Sequence, residues 1–426
     1  MQTVLSEIKK LTKLTMLKNY KKVSSYEAKG KIDKVLLMYS GGLDTSTMIK
    51  WIAENYGAEI TTLTLNIGQS DDNFDEIKNK ALKLGVSKAI VVDAQKEFAE
   101  NYIPKAIKAN ADYQNGYHLF CPIGRAIIAA KAVEVAHAEG ISVIAHGATG
   151  KGNDQVRFDS YITLLDPAIK ILAPVREWSL TRKEQIEYAA KHGIPIQNHS
   201  KLYSYDQNLW GISAEGGEIE DASAKPNYQK ILLKNKMICD APDEPCEIKI
   251  EFIHGIPFKL NGVYFDMLDL VKTLTEIGAS HGVGTTTFVE DRIVGLKVRG
   301  VYEQSAAKIL ITAHKELEKI VSTAEENEFK NYVDAKWAYL CYKAKWFEPL
   351  MQNLNAFINK QNEKVTGVVS CVLHKGNVVV TAIDSKYSLV NKNLASFDSY
   401  EFNQNAAAPF IELYSMQQRM AWMIGK

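Results

Sequence analysis

The sequence predicts an α/β protein: a parallel-sheet domain, then an α+β domain and a C-terminal helix. Three observations carry that expectation. Short apolar runs alternate with stretches of helical spacing as far as about residue 200. Such alternation calls for right-handed crossovers and a mostly parallel sheet covered on both faces. Two of the runs end in glycine-rich loops, and sheets of this kind bind ligands beyond the carboxyl ends of their strands. After residue 200 the alternation weakens into mixed helices and strands.

Composition sets the bounds. A chain of 426 residues has room for two or three domains. Apolar residues make up 46% and charged residues 24%, which excludes wholesale disorder, collagen-like repeats and a small disulfide scaffold. Lys plus Arg number 51 against 50 for Asp plus Glu, and a net charge of +1 gives no sign of a nucleic-acid partner. Cys121, Cys239, Cys246, Cys341 and Cys371 form no C-x-x-C pair, so reduced thiols in a cytoplasmic protein are expected. No apolar run approaches the ~18 residues needed to span a bilayer, so no membrane is expected as a partner.

The elements follow in order. Residues 1–30 carry Leu5, Ile8, Leu11, Leu14 and Leu17 at helical spacing and read as a helical N-terminal extension. Val35-Leu36-Leu37-Met38-Tyr39 is a buried strand stopped by Ser40-Gly41-Gly42. A helix over 45–56 places Met48, Ile49, Ile52 and Ala53 on one face. Strands are expected at 60–65, 89–92 and 143–145, with helices at 74–84, 96–110 and 123–138. Together these make a domain of residues 31–198. A polar loop over 215–226 opens the second domain, 199–400, with helices at 267–277, 306–318 and 334–358 and strands at 248–252 and 366–373. Lys375-Gly376-Asn377 between valine-rich runs reads as a hairpin turn. Residues 401–426 form an arm whose spacing over 413–424 is helical and suits oligomerisation.

The first loop, Ser40-Gly41-Gly42-Leu43-Asp44-Thr45-Ser46, joins a strand to a helix. Its glycines let backbone N–H groups turn inward, and the helix offers its positive end to an anion. Thr45 and Ser46 add hydroxyls, so the turn can hold pyrophosphate. A Walker loop would need G-x-x-x-x-G-K-[ST], which is absent here. Ser-Gly-Gly-x-Asp-Thr-Ser instead resembles the pyrophosphate loop of the N-type ATP pyrophosphatases, which implies a sheet of the adenine nucleotide α-hydrolase-like type. The second loop runs Ala145-His146-Gly147-Ala148-Thr149-Gly150-Lys151-Gly152-Asn153-Asp154-Gln155-Val156-Arg157-Phe158. Its mix of amide, carboxylate, hydroxyl and cations suits a zwitterionic amino acid beside a nucleotide. That loop is similar to the signature loop of the argininosuccinate synthase family. Segments such as Ser204-Tyr205-Asp206-Gln207-Asn208-Leu209-Trp210-Gly211, His281-Gly282-Val283-Gly284 and Arg299-Gly300-Val301-Tyr302-Glu303 continue the resemblance from about residue 34 to 318.

The resemblance implies an AMP-forming C–N ligase of arginine biosynthesis. ATP adenylates the ureido oxygen of citrulline, pyrophosphate leaves, and the amine of aspartate displaces AMP to give argininosuccinate. By motif, Tyr39, Ser40, Gly41, Gly42, Asp44, Thr45, Ser46, Leu65 and Gly147 would bind ATP. Thr149, Asn153 and Asp154 would bind aspartate. Tyr117, Asn153, Arg157, Ser204, Ser213, Glu290 and Tyr302 would bind citrulline, with Asp44 and Asp154 catalytic. Mg²⁺ is implied as a cofactor, with no dedicated protein cage, and a cytoplasmic homotetramer is implied as the assembly.

Departures from the family pattern keep an alternative open, a paralogous ligase of the same fold that joins an amine to another ureido or amide acceptor. Phe120-Cys121-Pro122 stands where Gly-Thr-Ser is common. Thr285-Thr286-Thr287 replaces Arg, an aliphatic residue and Asp, a change expected to rewire a salt-bridge network near the acceptor site. Gln304-Ser305-Ala306-Ala307 replaces a Thr-Pro-Gly turn, a change expected in backbone options rather than chemistry.

Overall fold

The computed structural model describes residues 32–69, 73–178, 182–195, 202–399 and 401–425. The helix expected in residues 1–30 lies outside them. The first half runs β1 (Lys34–Met38), α1 (Leu43–Tyr56), β2 (Glu59–Asn66), α2 (Phe74–Lys83) and β3 (Lys88–Asp93). It continues with α3 (Gln95–Asn101), α4 (Ile103–Lys108), α5 (Phe120–Ala138), β4 (Val143–Ala145), α6 (Asp154–Leu165), β5 (Lys170–Leu172), α7 (Pro174–Trp178) and α8 (Arg182–Lys191). The five strands pair in parallel in the order β3-β2-β1-β4-β5.

Continuous apolar runs suit a sheet buried on both sides. Along β1 the side chains alternate: Leu36 and Met38 join one core, Val35 and Leu37 the other. The chain leaves β1 toward β2 and β3, then returns to β4 on the opposite side. The strand order therefore reverses between β1 and β4, and both glycine loops leave the sheet at that crevice.

The second half comprises β6 (Ser204–Asn208), β7 (Gly211–Glu215), α9 (Tyr228–Ile231), β8 (Cys246–Ile253), β9 (Ile256–Leu260), β10 (Val263–Tyr264) and α10 (Met267–Ser280). Then come β11 (Thr285–Asp291), β12 (Lys297–Glu303), α11 (Ser305–Val321), α12 (Ala324–Tyr342) and α13 (Pro349–Gln361). β13 (Gly367–His374), β14 (Asn377–Asp384), α14 (Lys392–Ala395), α15 (Ala407–Tyr414) and α16 (Met416–Ile424) complete it. Two antiparallel sheets result, β10-β9-β8-β13-β14 and β11-β12-β7-β6. The β13–β14 hairpin turns on Lys375 and Gly376, both at positive φ, as a tight two-residue turn requires.

Two expectations need correction. The single helix over 334–358 is two: α12 stops at Tyr342, Ala344 adopts a φ of +61°, and Pro349 opens α13. Proline at a first helical position is favourable, whereas within a helix it breaks the ladder. The helix over 96–110 is likewise split, with Pro104 in the first turn of α4. The three-residue β5 and the strands β6, β7, β9, β10, β11 and β12 carry too few apolar alternations to be read from sequence. The loop at 215–226 is largely irregular, and Arg299 ties it down by donating to the carbonyls of Glu218, Ile219, Ala222 and Ala224 at 2.7–3.0 Å.

Candidate active site

The first loop is shaped from below. Gly41 has a φ of +77°, and a Cβ there would sit 2.9 Å from Ile77 of α2. Gly42 caps α1 with no side-chain bond, so the first-turn N–H groups of the helix are not met by a capping side chain. Ser40 Oγ lies 3.3 Å from Thr45 Oγ1, and Tyr39 Oη lies 3.0 Å from Ser46 Oγ. Tyr39 is 3% exposed and its carbonyl accepts from Thr64, so it forms the floor of the loop.

The second loop is fixed by His146. Its Nδ1 accepts the Ala148 N–H at 3.2 Å, which leaves the proton on Nε2, donated to Asp159 at 2.7 Å. Arg176 holds the other oxygen of Asp159 at 2.8 Å. Gly147 thereby lies against α1: a Cβ would meet Met48 at 2.9 Å and Thr45 at 3.2 Å. The two loops touch, and a side chain at position 147 would displace the Met48 methyl and crowd Thr45.

From that junction α6 leads into a pocket of about 210 Å³. Tyr117, Thr149, Asn153, Asp154, Arg157, Ser213, Glu290 and Tyr302 line it, together with Cys121, Asp206, Glu215 and Arg292. Asp154 receives Arg157 at 2.9 Å and Arg125 at 2.8 Å, and Arg125 also reaches Asp206 at 2.6 Å. Burial opposes the charge on Asp154, but the two guanidiniums outweigh it and hold the carboxyl down at about 2. Arg157 is 3% exposed and contributes to the pocket lining, while its Nε, sealed from solvent, has no hydrogen-bond partner. Burial raises the Glu290 carboxyl, with Arg157 opposing the rise. Asn153 is saturated: it donates to Tyr342 Oη at 3.0 Å and Glu290 at 3.4 Å, and accepts the Ile293 N–H at 2.7 Å. It therefore clips the second loop to the β11–β12 hairpin.

Most of the residues expected at the acceptor site converge here from separate elements. Ser204 does not: it is exposed, in register with Glu215, and outside the lining. Thr285 and Thr287 are also away from the pocket. Thr285 accepts from Asn235 and Thr287 bonds Tyr228, whereas Glu290 on the same strand lines the pocket. The expected rewiring of charge near the acceptor is therefore not seen among the described residues. Gln304 corrects the other expectation. It is 1% exposed, accepts the His118 N–H at 2.7 Å and donates to Gly116 O at 3.0 Å, bracketing Tyr117. That departure changes side-chain chemistry beside the pocket.

Sequence reasoning missed Arg125, Asp206, Arg292, Glu215 and Tyr342. A quoted motif contains Asp206, but spacing alone does not reveal that the Arg125 guanidinium bridges it to Asp154. Cys121, Asp154 and Asp206 place three donor atoms within 4.8 Å of one another. Two arginines already compensate those carboxylates, so the set suits hydrogen bonding rather than a cation. A larger pocket of about 360 Å³ lies beside it, lined by Asn66, Gln69, Asn208, Lys234 and Lys272 among others, but neither glycine loop contributes to it.

A parallel sheet with an anion-binding loop at its reversal point, touching a charged pocket, defines a nucleotide-dependent enzyme of the HUP class. Residues 34–195 match the arginosuccinate synthase N-terminal HUP domain, and residues 203–421 match the arginosuccinate synthase C-terminal domain. The chain is 47% identical to the argininosuccinate synthase of Pyrococcus furiosus, over 91% of this chain and 94% of that one. It is 46% identical to that of Thermoanaerobacter pseudethanolicus, over 91% and 95%, and 44% identical to that of Methanocaldococcus jannaschii, over 90% and 96%. The chain belongs to the argininosuccinate synthase family.

Proposed function

We propose that this chain joins citrulline to aspartate at the expense of ATP, releasing AMP and pyrophosphate through a citrullyl-adenylate. The observation that carries the reading is the contact of the two loops: Gly147 abuts Thr45, and α6, which follows, turns Asp154 and Arg157 into the adjoining pocket. A nucleotide on the first loop would present its α-phosphate toward an acceptor in that pocket. The ureido oxygen attacks α-phosphorus, and the bond to the β-phosphate breaks with its electron pair leaving on pyrophosphate. The aspartate amine then attacks the ureido carbon, loses a proton and expels AMP. Arg157, a guanidinium on the pocket lining, suits the acceptor carboxylate, and Glu290 suits its ammonium. Asp154, held near 2, is a hydrogen-bond acceptor that orients the donor amino acid rather than a proton sink at neutral pH.

The oxygen donors of the first loop, Asp44, Ser40 and Thr45, fit Mg²⁺ bound together with a triphosphate, where the ion would neutralise phosphate charge. We divide the chain into a nucleotide-binding domain at 31–198, a synthetase domain at 199–400 and an arm at 401–426. The arm exposes Phe410, Leu413, Trp422 and Ile424, apolar surface that supports a homotetramer. No described helix is long and apolar enough to cross a membrane, and Cys121, Cys239, Cys246, Cys341 and Cys371 are all free thiols, in keeping with the cytoplasm.

The test is product mass and pyrophosphate release with ATP, Mg²⁺, citrulline and aspartate, omitting each in turn. Argininosuccinate should form only in the full mixture. Pyrophosphate release without argininosuccinate would transfer the assignment to a ligase with another amine donor.

A further inference from the structure

The first loop contains no cation, although the triphosphate it is read to hold carries several negative charges. Walker loops solve the same problem with a lysine that reaches the β- and γ-phosphates. Here the cation arrives from a neighbouring helix. Lys80 on α2 donates its ammonium to the Gly41 carbonyl at 2.7 Å. An ammonium has three donors, and no carboxylate among the described residues pairs with this one. Ile77, one turn earlier on the same face of α2, packs where a Gly41 side chain would be. The helix is thus seated directly on the loop, and its lysine is partly buried there. Burial also lowers the Lys80 pKa, the direction expected of an ammonium that lacks an anion.

We propose that Lys80 is a phosphate-binding residue, its ammonium held at the Gly41 carbonyl and contacting the β- or γ-phosphate of ATP and then the departing pyrophosphate. The assignment rests on the ATP-dependent reading above and adds a residue to it. No proton changes place: the ammonium stabilises the charge that collects on pyrophosphate as the α–β bridge bond breaks. The alternative is a purely structural role, in which Lys80 only holds the loop.

The two roles separate by ligand. Binding of ATP, inorganic pyrophosphate and AMP, each with Mg²⁺ and without the amino acids, is measured by calorimetry for the wild type, Lys80→Met, Lys80→Arg and the exposed control Lys83→Met. Lys80→Met should weaken ATP and pyrophosphate roughly tenfold to hundredfold and leave AMP within about twofold. Lys80→Arg keeps the charge and should recover most of the loss. Lys83→Met should match the wild type. Equal weakening of AMP and pyrophosphate would reduce Lys80 to a loop anchor, and unchanged pyrophosphate binding would overturn the proposal outright. A wild type that binds ATP but makes no argininosuccinate would sink the acceptor assignment while leaving Lys80 in place. A wild type that binds none of the three would sink both.

Discussion

In the pocket, Asp154 lies between the guanidiniums of Arg125 and Arg157. Beneath α11, Asp334 shares a single ammonium, that of Lys330, with Glu318. Both clusters use carboxylates, cations and asparagines in a low-dielectric setting. They reach opposite ends of the carboxylate range: Asp154 is held down at about 2, whereas burial and the nearby Glu318 push Asp334 up to about 7 despite Lys330. The difference is the ratio of cations to anions, not the depth of burial alone. The closed cluster is also densely bonded. Asn110 donates to Glu318 at 2.7 Å and Asp334 at 2.9 Å, and His314 meets Asn110 and Asn362 at 2.7 Å each. The pocket leaves Arg157 Nε unmet. The Lys330 cluster is closed off, whereas Asp154, Arg157 and Glu290 line a cavity.

The comparison breaks most sharply at Lys330. Lys330→Met leaves two carboxylates buried without their cation and should cost about 3–5 kcal/mol in chemical denaturation, with kcat of the folded enzyme little changed. Arg157→Met should do the reverse. Arg125 still compensates Asp154, so stability falls less, while kcat/KM drops roughly 10²–10³-fold, about 3–4 kcal/mol, through citrulline rather than ATP. Steady-state kinetics varying each substrate reads that split.

A pH series sharpens the contrast. From about pH 4 to 7 the unfolded Asp334 gives up its proton and the folded one keeps it, so its contribution to stability falls as pH rises. His314, lowered by burial to about 4, contributes the opposite slope in the same window, because only its unfolded form takes up a proton. Asp334→Asn should therefore gain stability relative to the wild type as pH is raised from about 4 to 7. A difference independent of pH would remove Asp334 from the titrating groups. The smallest effect is expected at Gln304→Ala, which frees the backbone on both sides of Tyr117. Two lost buried hydrogen bonds suggest a destabilisation of roughly 1–3 kcal/mol, with a rise in the KM for citrulline.

How much of this was legible in the sequence varies by region. Four strands of the parallel sheet could be read because each is a short apolar run with its own helix or loop after it, and Val35 to Tyr39 needs no distant partner to be recognised; β5, three residues long, could not. The first loop could be read for the same reason: Gly41, Asp44 and Ser46 are neighbours in the chain, and their backbone geometry is set within one turn of helix. Strands β6, β7, β11 and β12 could not, because they are short, polar and stabilised by one another across long separations. The helix at 334–358 was misread because the apolar spacing continues through a break that Ala344 and Pro349 impose on the backbone.

The sequence by itself determined four strands of the parallel sheet, its two glycine loops and the family to which they point, since those depend on local periodicity and on residues a few positions apart. Only the tertiary structure decided that Arg125 bridges Asp154 and Asp206, that Gln304 grips Tyr117, and that Lys80 reaches Gly41. Each of those contacts joins residues 29 or more positions apart. A side chain's charge is written in the sequence; the partner that fixes its protonation and its use is set by which elements pack together.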